Sequence, residues 1–170
     1  DNALEMELDR EKYRDLCRDL ETGKNLFWKS GKVKSEKNAH VRYMGKSLKS
    51  FTRYYWKTKV WDKDGVASVS EIKSFETGMM NMRNWQGAWI GDNQDIDYKP
   101  APYFRKVFQT QKKIKSARAY LVAAGLFELY LNGEKIGNHR LDPLYTRFDR
   151  KNFYLTFDVT SQLKEGKNAI

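Results

Sequence analysis

Cysteine occurs once in these 170 residues, at Cys17, and histidine twice, at His40 and His139. A lone cysteine excludes an intrachain disulfide framework and a cysteine metal cluster. The two histidines lie far apart with no ligand spacing, so neither a metal nor a cofactor is expected. Proline is scarce, at three residues. No apolar run approaches the roughly 18 residues a membrane helix needs, and no membrane partner is expected. The first residues, DNALEMELDREKYRD, are charged throughout and do not read as a signal peptide.

Acidic residues are the minority charge, 22 against 32 Lys and Arg, a net charge of +10. Such a surplus can attract nucleic acid. Here the lysines are scattered singly along strands, as at Lys57, Lys59, Lys63 and Lys73, and the densest cluster, QKKIKSAR at 111–118, precedes a strand. The surplus reads as a basic, solvated surface, and no nucleic-acid partner is expected.

What the chain has in quantity is period-two alternation. FTRYYWKTKVW sets Tyr54, Trp56, Thr58 and Val60 on one face against Tyr55, Lys57, Lys59 and Trp61 on the other, the pattern of a strand. Trp56 falls on its apolar face and is expected in the core, with Trp28 and Trp61 half-buried. DKDG at 62–65 supplies a turn; it lacks the downstream acceptors of a calcium loop. A second strand follows over 72–76. LFWKSGKV (26–33) and AHVRYMG (39–45) also look strand-like. Leu8 to Leu20 fits an amphipathic helix or a strand blurred by charges.

Between 79 and 102, NMRNWQGAWIGDNQDIDYKPAP gathers Gly, Asn, Asp, Pro100 and Pro102 without a sustained period. It reads as an irregular connector pinned by Trp85 and Trp89. Strands resume at YFRKVFQT, ARAYLVAAG and FYLTFDVT. In TSQLKEGKNAI a Thr or Ser cap opens one short turn, which Gly166 ends. Short strands at about ten-residue spacing argue for β-sandwiches.

In LFELYLNGEKIG, Phe127, Leu129 and Leu131 share one face, Glu128 and Tyr130 the other. Asn132-Gly133 fits the two positive-φ positions of a type I′ corner. Read with its flanks, this hairpin resembles the N-terminal β-sandwich module of bacterial α-L-rhamnosidases. The residues carrying the resemblance are Ala101-Pro102, Phe104-Arg105-Lys106, Ala123-Ala124-Gly125, Glu128 through Gly133, Gly137, Leu141-Asp142-Pro143, Tyr154, Asp158-Val159-Thr160 and Gly166-Lys167-Asn168. LFWKSGKV, YMGKSLKSFTRYYWKTKVWDKDG, SEIKSFETGM and WQGAWI look like the fibronectin-type-III-like domain that precedes that module. Leu144-Tyr145 stand where such proteins often carry Gly-Trp, and SVSE at 68–71 lacks a tryptophan often found there.

The resemblance implies an all-β chain of two β-sandwich domains. Residues 1–78 would be fibronectin type III-like, 79–102 a linker, and 103–170 the start of a jelly-roll or galactose-binding-like sandwich that breaks off in its next strand. It also implies that catalysis, an inverting hydrolysis by two carboxylates, belongs to an (α/α) barrel absent from these residues, so no catalytic residue is expected. That barrel is the expected partner. The parent protein is expected to be periplasmic or secreted. The alternative is a carbohydrate-binding module for rhamnose-containing glycan, with His139, Asp142 and Tyr145 of the loop NHRLDPLYTRFDR as candidate contacts. Asp149 shares that loop, but a His–Asp acid–base pair there has no accompanying nucleophile or oxyanion arrangement. A plain inter-strand loop, its turn set by Asp142 and Pro143, is the simpler reading.

Overall fold

A computed structural model of the chain describes residues 18–23, 26–34, 41–94, 97 and 100–170. Cys17, His40 and most of the ambiguous 8–20 segment lie outside the described residues; 18–22 are helical. The chain is all-β in character and divides into two compact units, Asp1–Ala88 and Trp89–Ile170.

In the first unit, β1 (Arg53–Trp56) pairs antiparallel with β4 (Lys73–Glu76), and β2 (Lys59–Trp61) with β3 (Ala67–Val69). FTRYYWKTKVW is therefore two strands, not one. Thr58 exchanges hydrogen bonds with Ser70: its N–H donates to Ser70 Oγ, and its carbonyl accepts from Ser70 N–H. There the chain changes partners. DKDG is the turn the sequence implies, because Asp62 Oδ1 accepts from the N–H groups of Asp64 and Val66 at 2.9 and 2.8 Å.

Residues 26–34 and 41–46 form no ladder, which corrects the strands expected there. Gly31 adopts φ 73° within the first, breaking the extended run. In the second, Tyr43 packs edge-on to Trp28 and its hydroxyl donates to Lys46 O. Trp56 is also corrected: it sits at the end of a two-stranded ribbon opposite Lys73 and is 45% exposed. Trp28 and Trp85 are half-buried, whereas Trp61, expected half-buried, is exposed at 36%, and Trp89 is exposed. Among the described residues of this unit none of the apolar side chains is fully buried. Besides Trp28 and Tyr43, its described aromatic contacts include a chain of rings, Phe27 on Tyr54 and Tyr54 stacked on Phe75. The buried residue is Thr77, whose Oγ1 accepts from Thr52 N–H and donates to Lys49 O, tying the loop before β1 to the end of β4.

The second unit carries the core. Its strands are β5 (Val107–Thr110), β6 (Arg118–Val122), β7 (Tyr130–Leu131), β8 (Glu134–Lys135), β9 (Tyr154–Asp158) and β10 (Gly166–Ala169). The pairs are β5 with β10, β6 with β9 and β7 with β8, all antiparallel. YFRKVFQT contributes only its second half; Tyr103 and Phe104 stay exposed. The alternation read from FYLTFDVT holds: Phe157 and Val159 are buried, while Tyr154, Thr156 and Asp158 face solvent. Leu129, Leu131, Ile136, Phe157 and Val159 form the buried cluster, with Phe108, Ala117, Ala119, Leu121, Phe127, Leu155 and Leu163 packed around it. Burying such side chains contributes about 1.5–3 kcal/mol each. After Val159, Asp158 Oδ1 caps a turn through Thr160 N–H, and Gly166, at φ 89°, ends that turn and begins β10.

Candidate functional site

The hairpin around Asn132-Gly133 has the geometry its residues imply. Asn132 and Gly133 take φ 53° and 88°, matching a type I′ corner. Leu129 and Leu131 turn into the core while Glu128 and Tyr130 face out. On the outer face Tyr130 stands directly opposite Lys135. Glu128 accepts from the Tyr130 hydroxyl through Oε2 and from Lys135 through Oε1. The lysine contact first, then the tyrosine hydroxyl, holds the Glu128 carboxyl below its ordinary range, and the same carboxylate raises the Tyr130 hydroxyl.

The corner also has a role that the sequence does not announce. Asn132 Oδ1 accepts from Ala169 N–H, and its backbone N–H donates to Ala169 O. Asn132 Nδ2 donates to Gln162 O and to Asn168 Oδ1. Asn168, only 1% exposed, also accepts from Lys164 N–H and donates to Lys164 O, Gly166 O and Thr110 Oγ1. One amide network thus joins the hairpin, the turn before β10, and β5. Buried polar groups are stabilising when fully paired and costly when one partner is lost. The marker residues Asn132-Gly133 and Gly166-Lys167-Asn168 meet here as scaffold. Their signal in the sequence was their position in two separate turn-like segments.

The loop after β8 holds the three candidates. Gly137 opens it at φ 75°; an added Cβ would lie 3.1 Å from the Phe157 ring. His139 Nδ1 and Asp142 Oδ2 are 2.5 Å apart, and the His139 ring meets Phe157 edge-on. Asp142 O accepts from Phe127 N–H, and Pro143, behind a cis peptide bond, is fully buried. The loop is thereby tied to the segment leading into β7. Tyr145 is not part of this pair. It is 84% exposed, with its ring edge-on to Phe148, and among the described residues it makes no hydrogen bond to His139 or Asp142. Asp149 pairs with Arg147 at 2.7 Å. The structure therefore joins two of the three candidates and leaves the third outside. The loop's carboxylates each face a nitrogen base or cation. Among the described residues no Ser, Thr or Cys is hydrogen-bonded to His139. Nor do the described residues gather three or more His, Cys, Asp or Glu into a group able to hold a metal ion.

Two protein-family models match the chain in order. Residues 3–81 match the Rha78A-like N-terminal immunoglobulin domain, and residues 112–170 the alpha-L-rhamnosidase N-terminal domain. The immunoglobulin description gives the first unit the same two-sheet sandwich architecture as the fibronectin-type-III-like expectation. An alpha-L-rhamnosidase of Formosa agariphila is 37% identical over 166 residues, covering 84% of this chain and 17% of the relative. One from Streptomyces avermitilis is 47% identical, covering 84% and 16%. Among solved structures, the alpha-L-rhamnosidase of Dictyoglumus thermophilum superposes with a TM-score of 0.79 at 35% identity, covering 89% of this chain and 19% of that one. The Aspergillus terreus enzyme gives 0.61 at 28% identity, covering 72% and 15%. The chain spans 16–17% of the length of these two curated relatives. With both domain types present in sequence order and a shared fold, the chain belongs to the N-terminal, β-sandwich region of the α-L-rhamnosidase family.

Proposed function

We propose that this chain is a non-catalytic β-sandwich portion of a glycoside hydrolase that releases α-L-rhamnose from glycans or glycosides. The observation that carries the reading is the ordered pair of matches, an immunoglobulin-like domain followed by the rhamnosidase N-terminal domain. The chemistry then falls to another part of a longer protein, an (α/α) barrel in which two carboxylates act as acid and base. These two units support that barrel. The parent protein acts in the periplasm or outside the cell, a placement that rests on resemblance.

The local chemistry favours scaffold over sugar binding. His139 and Asp142 bond to each other, both Glu128 oxygens are engaged, and the amides of half-buried Asn132 and buried Asn168 donate to the protein's own backbone. Comparing the 170-residue chain with the longer polypeptide on an aryl α-L-rhamnoside tests the proposal. Turnover by the longer protein and none by this chain is expected; turnover proportional to the concentration of this chain overturns it. Calorimetry of this chain with L-rhamnose and rhamnosyl oligosaccharides is expected to give no heat, and saturable heat would favour the carbohydrate-binding alternative.

A further inference from the structure

Two lysines of the first unit converge on one indole at the β2–β3 ribbon. Lys59 and Trp61 alternate with Val60 and so share one face of β2. The antiparallel register sets Val69 opposite Lys59 and Ala67 opposite Trp61 on that same face, and all four residues are exposed. Lys32 reaches the same indole. Its Nζ stands 4.5 Å from the Trp61 ring centroid, and Lys59 Nζ stands 5.3 Å from it, both within cation–π range. Among the described residues neither ammonium meets a carboxylate. The acids next along the ribbon are engaged or set apart. Asp62 Oδ1 accepts two turn amides, Glu71 pairs with Lys73 at 2.8 Å, and Asp64 lies in the turn beyond the ladder. Residues 26–34 and 41–61 contain nine Lys or Arg and no Asp or Glu, so no acidic side chain of those segments offsets the pair.

We infer that Lys32, Lys59 and Trp61 form a binding site for the acidic group of a glycan, a sugar carboxylate or sulfate ester. The inference deepens the glycoside-hydrolase reading above, by naming an acidic class of glycan, and rests on it. Two like charges gathered at one ring repel each other, and an oxyanion bound there attracts both. The indole holds the flexible lysine stems in place beforehand, so less side-chain freedom is lost when the anion arrives. Lysine suits either oxyanion, because its ammonium is a compact point charge without the fixed fork of arginine. Ala67 and Val69, on the same face of the ribbon, offer apolar surface to the C–H side of a sugar ring. Nucleic acid fits less well. Single strands stack their bases on open aromatic faces, and this ring is already engaged by ammoniums. Duplexes need several phosphate contacts, whereas this is one point on a two-stranded ribbon. Neutral sugars, L-rhamnose included, lack the charge and are not its ligands.

Fluorescence-polarisation titration of the 170-residue chain tests this with four labelled oligomers: oligogalacturonate, which carries carboxylates, sulfated dextran, neutral dextran and a single-stranded oligodeoxynucleotide. At least one acidic glycan is expected to bind saturably and at least tenfold more tightly than neutral dextran, and the tighter of the two names the oxyanion. Lys32→Ala/Lys59→Ala should weaken that binding at least tenfold with thermal unfolding unchanged. Lys32→Arg/Lys59→Arg should restore it to within threefold. Lys106→Ala/Lys112→Ala removes the same charge from the second unit and should change it less than twofold. Equal weakening by the two alanine pairs overturns the inference, since binding would then follow net charge alone. So does failure of both acidic glycans to bind, or tighter binding of the oligodeoxynucleotide, which would assign the lysines to nucleic acid. Aryl α-L-rhamnoside turnover by the longer polypeptide is measured alongside. Turnover without acidic-glycan binding defeats this site alone, and lysine-dependent binding without turnover defeats the rhamnosidase reading alone.

Discussion

Removing the Asn168 side chain by Asn168→Ala should open the second unit at the place where three segments meet. Asn168 is 1% exposed, and its amide makes five hydrogen bonds, to Asn132 Nδ2, Lys164 N, Lys164 O, Gly166 O and Thr110 Oγ1. Paired hydrogen bonds are worth about 0.5–1.5 kcal/mol each, and a buried group left without its partner costs about 1–3 kcal/mol. Some partners keep a second bond: Asn132 Nδ2 still reaches Gln162 O, and Thr110 Oγ1 still donates to Lys164 O. Gly166 O still accepts from Thr110 Oγ1, so the Lys164 N–H is the group that loses its bond from Asn168. A destabilisation of about 3–5 kcal/mol follows, against the roughly 5–15 kcal/mol that holds a typical domain. The second unit needs its own readout, because two units need not unfold together. Hydrogen exchange of the Ala169 and Asn132 amides, which bond to Asn132 Oδ1 and Ala169 O, provides it. Exchange at both should accelerate by at least a hundredfold. Asn168→Asp separates hydrogen bonding from shape. It keeps the acceptor but turns a carboxylate toward the Lys164 and Gly166 carbonyls, which disfavours the charged form. Its folded-state pKa should therefore lie above the unfolded one, and the variant should gain relative stability as pH falls. A cost under about 1 kcal/mol for Asn168→Ala, with amide exchange unchanged, would refute the claim that this network holds the unit together.

Three further outcomes are expected. Leu131→Ala, at a position 2% exposed beside Phe157 and Val159, should cost about 2–5 kcal/mol in urea unfolding with little change in slope. Gly137→Ala places a methyl 3.1 Å from the Phe157 ring at φ 75° and should cost about 1–3 kcal/mol; exchange of the Ile136 amide reports it. Glu128 has a folded-state pKa below the ordinary 4.5. Its contribution is therefore present above that value and is lost as pH falls through the depressed folded-state value. Glu128→Gln should remove that acid-side dependence, seen as a flatter melting-temperature profile below about pH 4.5, by lowering the neutral-pH melt by the small amount an exposed ion pair contributes.

The parts legible in the sequence were those set by local chemistry. Asn132-Gly133 forced its corner, Asp62 closed its turn with its own carboxylate, and Leu129, Leu131, Phe157 and Val159 showed their inward face by alternation. What failed needed knowledge of partners. The alternation of 51–61 runs unbroken through Thr58, yet its two halves pair with different strands. Trp56 follows the apolar period but stands at a ribbon end, where no second layer covers it among the described residues. Of the candidate loop, adjacency in sequence brought His139 and Asp142 together. Tyr145, two residues beyond the buried Pro143, is exposed and meets Phe148 instead. Asn168 was hidden for a related reason. A polar residue after Gly166-Lys167 looks solvated until the remote Asn132 and Thr110 close over it.

The register of β10 against β5 bears on how the second unit comes into being. Val107–Thr110, at its beginning, is paired with Gly166–Ala169, and Lys106 exchanges both backbone bonds with Ile170. Contacts between segments so far apart in the sequence carry a high loop-closure entropy and slow folding. On a ribosome, where chains emerge from the N-terminal end, β5 must wait, unpaired, while nearly sixty further residues are made. Only the emergence of Gly166–Ala169 lets the nascent unit close. An edge left open for that interval is open to foreign strands, so the pace of synthesis across this stretch should govern how much of the protein reaches its native form.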